Sequence, residues 1–208
     1  SLPSRGLGDV YKRQQLYDDA LLSLNNAQKI NPNIGETYFA KSTIYLKLSK
    51  IKKAKISLLS GIKILPKNFK AIFQLGNIYL MEKNYEKAIE EFDKAIEIKM
   101  DFWQAINNKG LAYFELNKND FSIIYFRKAI DLEENAEPLL ALASCLKNKD
   151  INKAIFFAKK ALNMEPNYVD FNYRKEQLWG EKLQISTEKL FENPQLKEDI
   201  LVAKTKIK

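Results

Sequence analysis

The sequence predicts an all-α protein made of repeated pairs of short amphipathic helices. Apolar residues recur three or four positions apart, the spacing of one helix face, as Ile72, Leu75 and Tyr79 do. Nowhere do apolar and polar residues alternate as they do in a half-buried strand. The clearest helix pair spans residues 71–98, where Asn84 and its polar neighbours mark the turn between the two helices.

Residues of matching size also recur with a period of 34 residues. Second helices carry three such columns, which are small, large and small: Ala20, Ala54, Ala88, Ser122; Leu24, Leu58, Phe92, Phe126; Ala27, Gly61, Ala95, Ala129. First helices carry two more: Tyr45, Tyr79, Tyr113; Ser42, Gly76, Gly110. Several independent columns in one register predict a stack of equivalent helix pairs.

The columns have a packing role. Small residues such as Gly76 and Gly110 allow the two helices of one pair to approach closely. Pro32 and Pro66 follow second helices, where a proline stops the helix.

The 34-residue unit resembles the tetratricopeptide repeat, whose pattern W-x2-L-G-x2-Y…A-x3-F…P is matched best by Leu75, Gly76, Tyr79, Ala88 and Phe92. The resemblance implies a right-handed α-solenoid of antiparallel helix pairs with a C-terminal cap. The implied division is a half repeat at 15–34 and full repeats at 35–68, 69–102, 103–136 and 137–167. Residues 168–208 are then expected to form C-terminal capping helices on the exposed face of the last repeat.

The departures from the repeat pattern are few. Ile72 and Ile106 stand where the pattern favours tryptophan, and Lys41 and Lys109 stand where it favours leucine. The repeat at 137–167 is about two residues shorter than the others, and we place the shortening at the turn near residues 147–150.

Both ends of the chain differ from the repeats. Residues 1–14 (SLPSRGLGDVYKRQ) lack helical and strand periodicity. They resemble translated sequencing-adaptor read-through, and we interpret them as a non-native leader, a short disordered leader being the alternative. The half repeat beside them then lacks its first helix, so we expect the natural protein to begin earlier. Residues 168–191 carry one longer helical pattern, Asn193–Pro194 breaks it, and residues 195–206 are predicted to form a final helix.

Composition excludes the commonest catalytic and metal sites. The chain of 208 residues has no histidine and one cysteine, Cys145. Histidine-dependent triads, histidine-bearing zinc sites and an intrachain disulfide are therefore excluded. We find no nucleotide-binding loop and no nucleophile–base pair, and we expect a protein that is not an enzyme and has no cofactor or metal. Cys145 is predicted to be a small buried hydrophobe.

The resemblance implies a function in protein–protein interaction, with the first helices lining the concave side of the solenoid. A helical wheel then assigns to the peptide-binding groove the residues Phe39, Thr43, Phe73, Asn77, Met81, Asn107, Leu111 and Phe114. We expect the apolar members to anchor a short peptide segment of another protein and the asparagines to bond its backbone. The alternative is that these side chains pack across the inner surface. A carboxylate clamp is disfavoured because Phe73 stands where a clamp lysine is needed.

The charge distribution and the C-terminal sequence allow other partners. Of the formal net charge of +8, residues 15–68 contribute nine lysines against three acids. The lysines of the turn at 47–55 could bind an anionic polymer such as nucleic acid, but without interleaved aromatic residues a solvated turn is favoured. The segment KEQLWGEKLQISTEKL is faintly similar to tails of cyanobacterial and plastid repeat proteins, which suggests an assembly or biogenesis factor of a cyanobacterium-like cell.

The longest uncharged apolar run has about nine residues, too short to span a membrane, and we expect a cytoplasmic location.

Overall fold

The computed structural model describes the backbone of residues 2–207 and the side chains of residues 14–207. Within this range the chain is helical and contains no β-strand, which confirms the predicted all-α class. None of the described helices has the length and hydropathy to cross a membrane. The helices are α1 Leu2–Ile30, α2 Gly35–Lys47, α3 Ile51–Ile64, α4 Phe69–Met81, α5 Tyr85–Ile98, α6 Trp103–Glu115, α7 Asn119–Leu132, α8 Ala136–Leu146, α9 Ile151–Met164, α10 Phe171–Glu176, α11 Glu181–Phe191 and α12 Lys197–Lys206.

The first helices of the repeats are α2, α4, α6 and α8, and their second helices are α3, α5, α7 and α9. Partners within a pair pack on each other, as α2 does on α3, α6 on α7 and α8 on α9. In the α4–α5 pair, a Cβ atom added to Gly76 would lie 2.5 Å from the ring of Phe92. This contact explains why the 34-residue period places glycine opposite a large residue.

The turn after the first helix is the same in three consecutive repeats. Ser49, Lys83 and Asn117 have φ angles of 55°, 57° and 60°, and they lie 34 residues apart. In each case the next residue donates its N–H to a tyrosine carbonyl five positions earlier, at 2.8–2.9 Å. This bond defines the Schellman motif, which ends a helix with one left-handed residue. In the shortened repeat, Lys147 caps α8 with right-handed helical angles instead.

The lysines that depart from the repeat pattern have partners. Lys41 Nζ donates to Gln28 Oε1 at 2.8 Å. Lys109 is buried, forms an ion pair with Asp93, and places its ammonium 4.4 Å from the ring centroid of Tyr125. Burial opposes the charged form of Lys109, but the hydrogen bonds to Asp93 and Tyr125 outweigh it and raise the pKa.

Helix α1 begins at Leu2, so residues 2–14 are helical although their sequence shows no helical periodicity. Pro3 falls in the first helical turn, where proline is tolerated, and no strong stop signal follows before Asn31. The interpretation of these residues as a non-native leader stays a prediction.

The long helical pattern predicted over residues 168–191 is interrupted in the structure, which was also not expected. A 3-10 turn at Pro166–Val169 precedes α10, and a turn at residues 177–180 separates α10 from α11. Leu178 has a φ of 66°, and Trp179 donates its N–H to the carbonyl of Arg174 at 3.1 Å, which is again a Schellman motif. The predicted break at Asn193–Pro194 and the last helix are both present, the latter as α12.

The chain divides into two compact bodies, Ser1–Leu75 (the N-terminal body) and Gly76–Lys208 (the C-terminal body). In the N-terminal body, Ala54 and Leu58 of α3 are fully buried. In the C-terminal body, one apolar core connects the repeats to the helices that follow them. It includes Phe126 of α7, Leu139 of α8, Leu183 of α11, Leu196 and Ala203 of α12.

Candidate functional site on the first helices

In the N-terminal body the predicted groove residues have different surroundings. The ring of Phe39 lies directly over Gly61 of α3, so Phe39 contributes to packing within its own helix pair. Thr43 is exposed, and its hydroxyl donates to the carbonyl of Phe39 at 3.1 Å. Phe73 of α4 is half-buried. Thr43 therefore reaches solvent, while the ring of Phe39 packs against α3 of its own pair and is partly buried.

In the C-terminal body the asparagines of α4 and α6 form a ladder. Asn108 Nδ2 donates to Asn77 Oδ1 at 2.8 Å, and Asn107 Nδ2 donates to Asn108 Oδ1 at 3.1 Å. Asn107 is fully buried, and its Oδ1 has no hydrogen-bond partner among the described side chains and backbone. Asn77 is half-buried, so it is the member of the ladder nearest the surface.

The remaining predicted groove residues of α6 are covered in this structure. Leu111 and Phe114 are 1% and 7% exposed. They are buried in the core that also contains Trp179 and Leu183, because α11 packs on α6 and on α8. We call residues 171–191, which comprise α10 and α11, the C-terminal segment. The cap was expected on the exposed face of the last repeat; α12 does pack on α9, but α11 lies on the first helices instead.

Glu115 of α6 holds the beginning of α11. Gly180, the residue before α11, provides no side-chain cap. The Glu115 carboxylate replaces that cap by accepting from the backbone N–H of Leu183 at 3.0 Å and of Lys182 at 3.3 Å. A carboxylate at this position also interacts favourably with the positive end of the helix dipole. A Cβ atom at Gly180 would lie 2.6 Å from Glu115 Oε1, so glycine at this position leaves the space that the Glu115 carboxyl group occupies.

A buried polar seam joins α11 to α8. The hydroxyls of Ser144 and Thr187 lie 2.7 Å apart and share a hydrogen bond. Ser186 Oγ donates to the carbonyl of Ser144 at 2.9 Å and accepts from Lys147 Nζ at 2.9 Å. Because each of these buried hydroxyls has a partner, the seam fixes the register of α11 without leaving an unsatisfied group.

Arg174 holds the C-terminal segment together internally. Its fully buried guanidinium donates to Gln184 Oε1 at 2.7 Å and to the carbonyls of Tyr168 and Val169 at 2.7 and 3.1 Å. It also forms an ion pair with Glu188. Burial lowers the pKa of Arg174, and the charge of Glu188 opposes that shift.

Glu137 lies where α8 meets the C-terminal segment. Its Oε1 accepts from Trp179 Nε1 at 3.1 Å. Part of the Glu137 residue remains accessible, but its carboxyl group points inward toward Trp179, Asn107 and Tyr168. Burial raises the pKa of this carboxyl from 4.5 to about 7, and the hydrogen bonds from Trp179, Asn107 and Tyr168 limit the rise.

An open pocket of about 640 Å3 remains beside the C-terminal segment, entirely within the C-terminal body. Its buried members include Leu80, Leu111 and Trp179. Three large apolar side chains at the pocket are roughly half exposed: Met81 at 46%, Phe171 at 48% and Ile185 at 50%. Met81 was among the predicted groove residues. Phe171 and Ile185 were not, because their placement depends on the fold of the C-terminal segment.

The structure also shows the surroundings of the basic turn and of Cys145. The basic turn lies between α2 and α3, where Lys47, Lys50, Lys52 and Lys53 are exposed. Cys145 is buried on α8, and burial raises the pKa of its thiol.

Sequence comparison identifies the repeats. The tetratricopeptide-repeat profile matches residues 35–68, 69–102 and 104–135. The chain is therefore a tetratricopeptide-repeat protein, a class whose members serve as scaffolds for protein–protein interaction. No curated protein sequence matches the chain.

Solved structures of low sequence identity share the fold. The crystal structure of MamA aligns with a TM-score of 0.67 and 22% identity, over 77% of this chain and 95% of MamA. YrrB, described as a tetratricopeptide-repeat protein with an unusual peptide-binding site, aligns with a TM-score of 0.61 and 18% identity over 88% and 97% of the two chains. The first repeat domain of Spaghetti (RPAP3), bound to the HSP90 peptide SRMEEVD, aligns with a TM-score of 0.54 and 20% identity over 55% and 92%.

Proposed function

We propose that this protein is a non-catalytic scaffold that binds a short peptide segment of another protein on the face of its first helices. In the N-terminal body the proposed contact residues are Thr43 and Phe73. In the C-terminal body they are Asn77 and Met81, extended by Phe171 and Ile185 of the C-terminal segment. Leu111 is a buried part of the lining of the same pocket. Phe39, Asn107 and Phe114 are assigned to packing inside the protein and not to peptide contact.

The observation that carries the proposal is the pocket with its three half-exposed apolar side chains. Met81, Phe171 and Ile185 come from α4, α10 and α11, and all three line one cavity of about 640 Å3. Apolar pockets with a few polar groups at the rim are the usual form of a recognition site. A peptide that inserts one or two apolar side chains would bury this surface and gain most of its affinity there.

The structural neighbours support the proposal by analogy. YrrB has an unusual peptide-binding site, and the Spaghetti domain was solved with a peptide bound. These likenesses concern the fold, so the choice of residues rests on the pocket of this chain.

The proposal is tested by selecting peptides from a randomised display library on the full chain and measuring the affinity of the enriched sequences. We expect the selected peptides to share an apolar anchor residue and to bind with micromolar affinity, because the surface involved is small. Met81→Glu should weaken binding at least tenfold by placing a charge against the apolar anchor.

Met100→Glu is the matched control. Met100 is 79% exposed and follows α5, outside the pocket lining. The same substitution there should leave the affinity within about twofold. The absence of any enriched peptide, or an equal loss in both variants, would contradict the proposal. If the chain instead binds a nucleic acid, with an affinity that falls steeply between low and moderate salt, the lysine turn is favoured as an anionic-polymer site.

A further inference from the structure

The net positive charge of the chain is concentrated in one part of the N-terminal body. Residues 37–75 contain nine lysines and no acidic residue. The C-terminal body has 21 basic and 22 acidic residues, and its lysines form ion pairs such as Lys149 with Asp120 and Lys160 with Glu134. Residues 37–75 therefore carry a charge that the rest of the N-terminal body and the C-terminal body do not show.

Helix α3 presents part of this charge to solvent along one face. Four of its residues, spaced four, three and four positions apart, share that face and are called the α3 stripe: Lys52, Ile56, Leu59 and Lys63. Both lysines are exposed, and Ile56 and Leu59 are 66% and 39% exposed. The opposite face, with Ala54 and Leu58, is fully buried. The α3 stripe is thus an outward surface that combines positive charge with two aliphatic side chains.

The repeat fold does not require this composition. At the equivalent positions of the next repeat, 34 residues later, α5 carries four acidic residues: Glu86, Glu90, Asp93 and Glu97. One repeat further on, Asp120 and Asp131 of α7 occupy the positions of the two stripe lysines. Since second helices of either charge form the same helix pair, packing does not explain the lysines of α3.

The chemistry of the stripe favours a membrane surface over a nucleic acid. Helix α3 has no arginine and no aromatic residue, the side chains that commonly bind phosphates in pairs of hydrogen bonds or stack on bases. The nearby ring of Tyr45 is only partly exposed, and the Lys53 ammonium lies 5.9 Å from its centroid. An anionic bilayer suits both parts of the stripe, because lysines are attracted to its head groups and aliphatic side chains enter the head-group boundary.

The stripe also has an orientation that suits a flat surface. Lys52 is in the first turn of α3 and Lys63 in its last turn, about 16 Å apart along the helix axis. Ile56 and Leu59 lie between them. Both ends of the helix therefore reach an anionic surface when α3 lies parallel to it.

We propose that the α3 stripe binds the N-terminal body to the surface of a membrane that contains anionic lipids. The exposed lysines provide an attraction that salt screens, and Ile56 and Leu59 provide an apolar contact that salt does not screen. Lys50 and Lys53, at the beginning of α3, add to the positive charge at one end of the stripe. No residue of the stripe lines the peptide pocket, so this proposal and peptide binding are tested independently.

The proposal is tested by sedimenting the full chain with vesicles made of equal parts of phosphatidylcholine and phosphatidylserine. We expect binding to these vesicles and at least about tenfold weaker binding to pure phosphatidylcholine. Because each lysine near an anionic membrane contributes about fivefold to the affinity, the double variant Lys52→Gln, Lys63→Gln should bind at least about tenfold more weakly. Both positions are exposed, so this variant should remain folded, which circular dichroism checks.

The matched control is the double variant Lys118→Gln, Lys128→Gln. Both lysines are exposed and belong to the C-terminal body, so the variant loses the same net charge away from the stripe. Its affinity for the mixed vesicles should stay within about twofold of the unmodified chain, because salt screens distant charges. Absence of binding to the mixed vesicles, or an equal loss in the two double variants, would overturn the proposal.

Ile56→Ser separates a membrane from other polyanions. It keeps every charge and removes an exposed aliphatic side chain, so it should weaken vesicle binding severalfold and leave binding to a DNA duplex unchanged. Vesicle binding that is unaffected by Ile56→Ser would indicate a general polyanion site. That result, or a DNA duplex that outcompetes the vesicles, would show that the membrane assignment is wrong.

Discussion

At the residue scale, the turns after α2, α4 and α6 require a backbone conformation that their side chains disfavour. Ser49, Lys83 and Asn117 are in the left-handed region with φ between 55° and 60°. For most L-residues this conformation costs about 1 kcal/mol or more relative to glycine, and asparagine tolerates it best. The chain accepts the cost because the Schellman hydrogen bonds satisfy carbonyls at the end of each first helix.

We therefore expect Ser49→Gly to raise the free energy of unfolding by about 0.5–1 kcal/mol. Ser49 is exposed, so the substitution removes little packing. Urea denaturation with an unchanged m-value is the measurement. Asn117→Gly, at the equivalent turn, is the control and should give a smaller gain. A lower stability for Ser49→Gly would show that the left-handed angle stores no strain.

At the scale of elements, α11 depends on another helix for its cap. Gly180, the residue before α11, has no side chain to cap the helix, and the capping carboxylate comes from Glu115 at the end of α6. Glu115 is buried, and its carboxylate accepts hydrogen bonds from two backbone N–H donors of α11. The Glu115 cap and the close approach of Gly180 to the Glu115 carboxyl group therefore depend on each other.

Gly180→Ala should consequently lower the free energy of unfolding by about 1–3 kcal/mol, because the added methyl group displaces the carboxylate from its donors. The backbone of Gly180, with φ −76° and ψ 173°, suits alanine, so the loss comes from space and not from conformation. Glu115→Ala should have a similar effect, and the double variant should cost clearly less than the sum. Additive losses in a double-mutant cycle would mean that the two residues act independently.

At the scale of the whole molecule, the buried Glu137 links stability to pH. Its pKa is raised from 4.5 to about 7 on folding, so the unfolded chain loses this proton at a lower pH than the folded chain does. Between these two values the unfolded state binds fewer protons, and stability therefore falls as the pH rises. Below pH 4.5 the group has no effect, and above pH 7 its cost is constant.

Full ionisation of Glu137 should then lower the free energy of unfolding by roughly 3 kcal/mol relative to the protonated state. The measurement compares the unmodified chain with Glu137→Gln by urea denaturation at pH 5 and pH 8. Other groups titrate as well, so the prediction concerns the difference between the two proteins, which should grow in favour of Glu137→Gln toward pH 8. A difference that is constant with pH would contradict it.

In the C-terminal segment, the sequence pattern indicates the burial of Arg174 but does not identify its partners. Arg174 lies three residues after Phe171 and four before Leu178, in register with the apolar face of the predicted helix. That register indicates an inward-facing arginine. Its partners Gln184 and Glu188 could not be identified, because they depend on the turn at residues 177–180, where Leu178 adopts a left-handed angle against its intrinsic preference.

The all-α class, the helix pairs and the repeat family are all readable from the sequence, because a 34-residue period with small and large columns reports packing between neighbouring helices. Such contacts are local, so each repeat carries the information for its own pair. Met81, which the helical wheel predicts for the groove, lines the pocket. The covering of Leu111 and Phe114 by α11, and the pocket lined by Phe171 and Ile185, emerge from the folded chain alone. Those contacts join residues about 70 positions apart, as Glu115 and Leu183 are, and no periodicity along the chain encodes them.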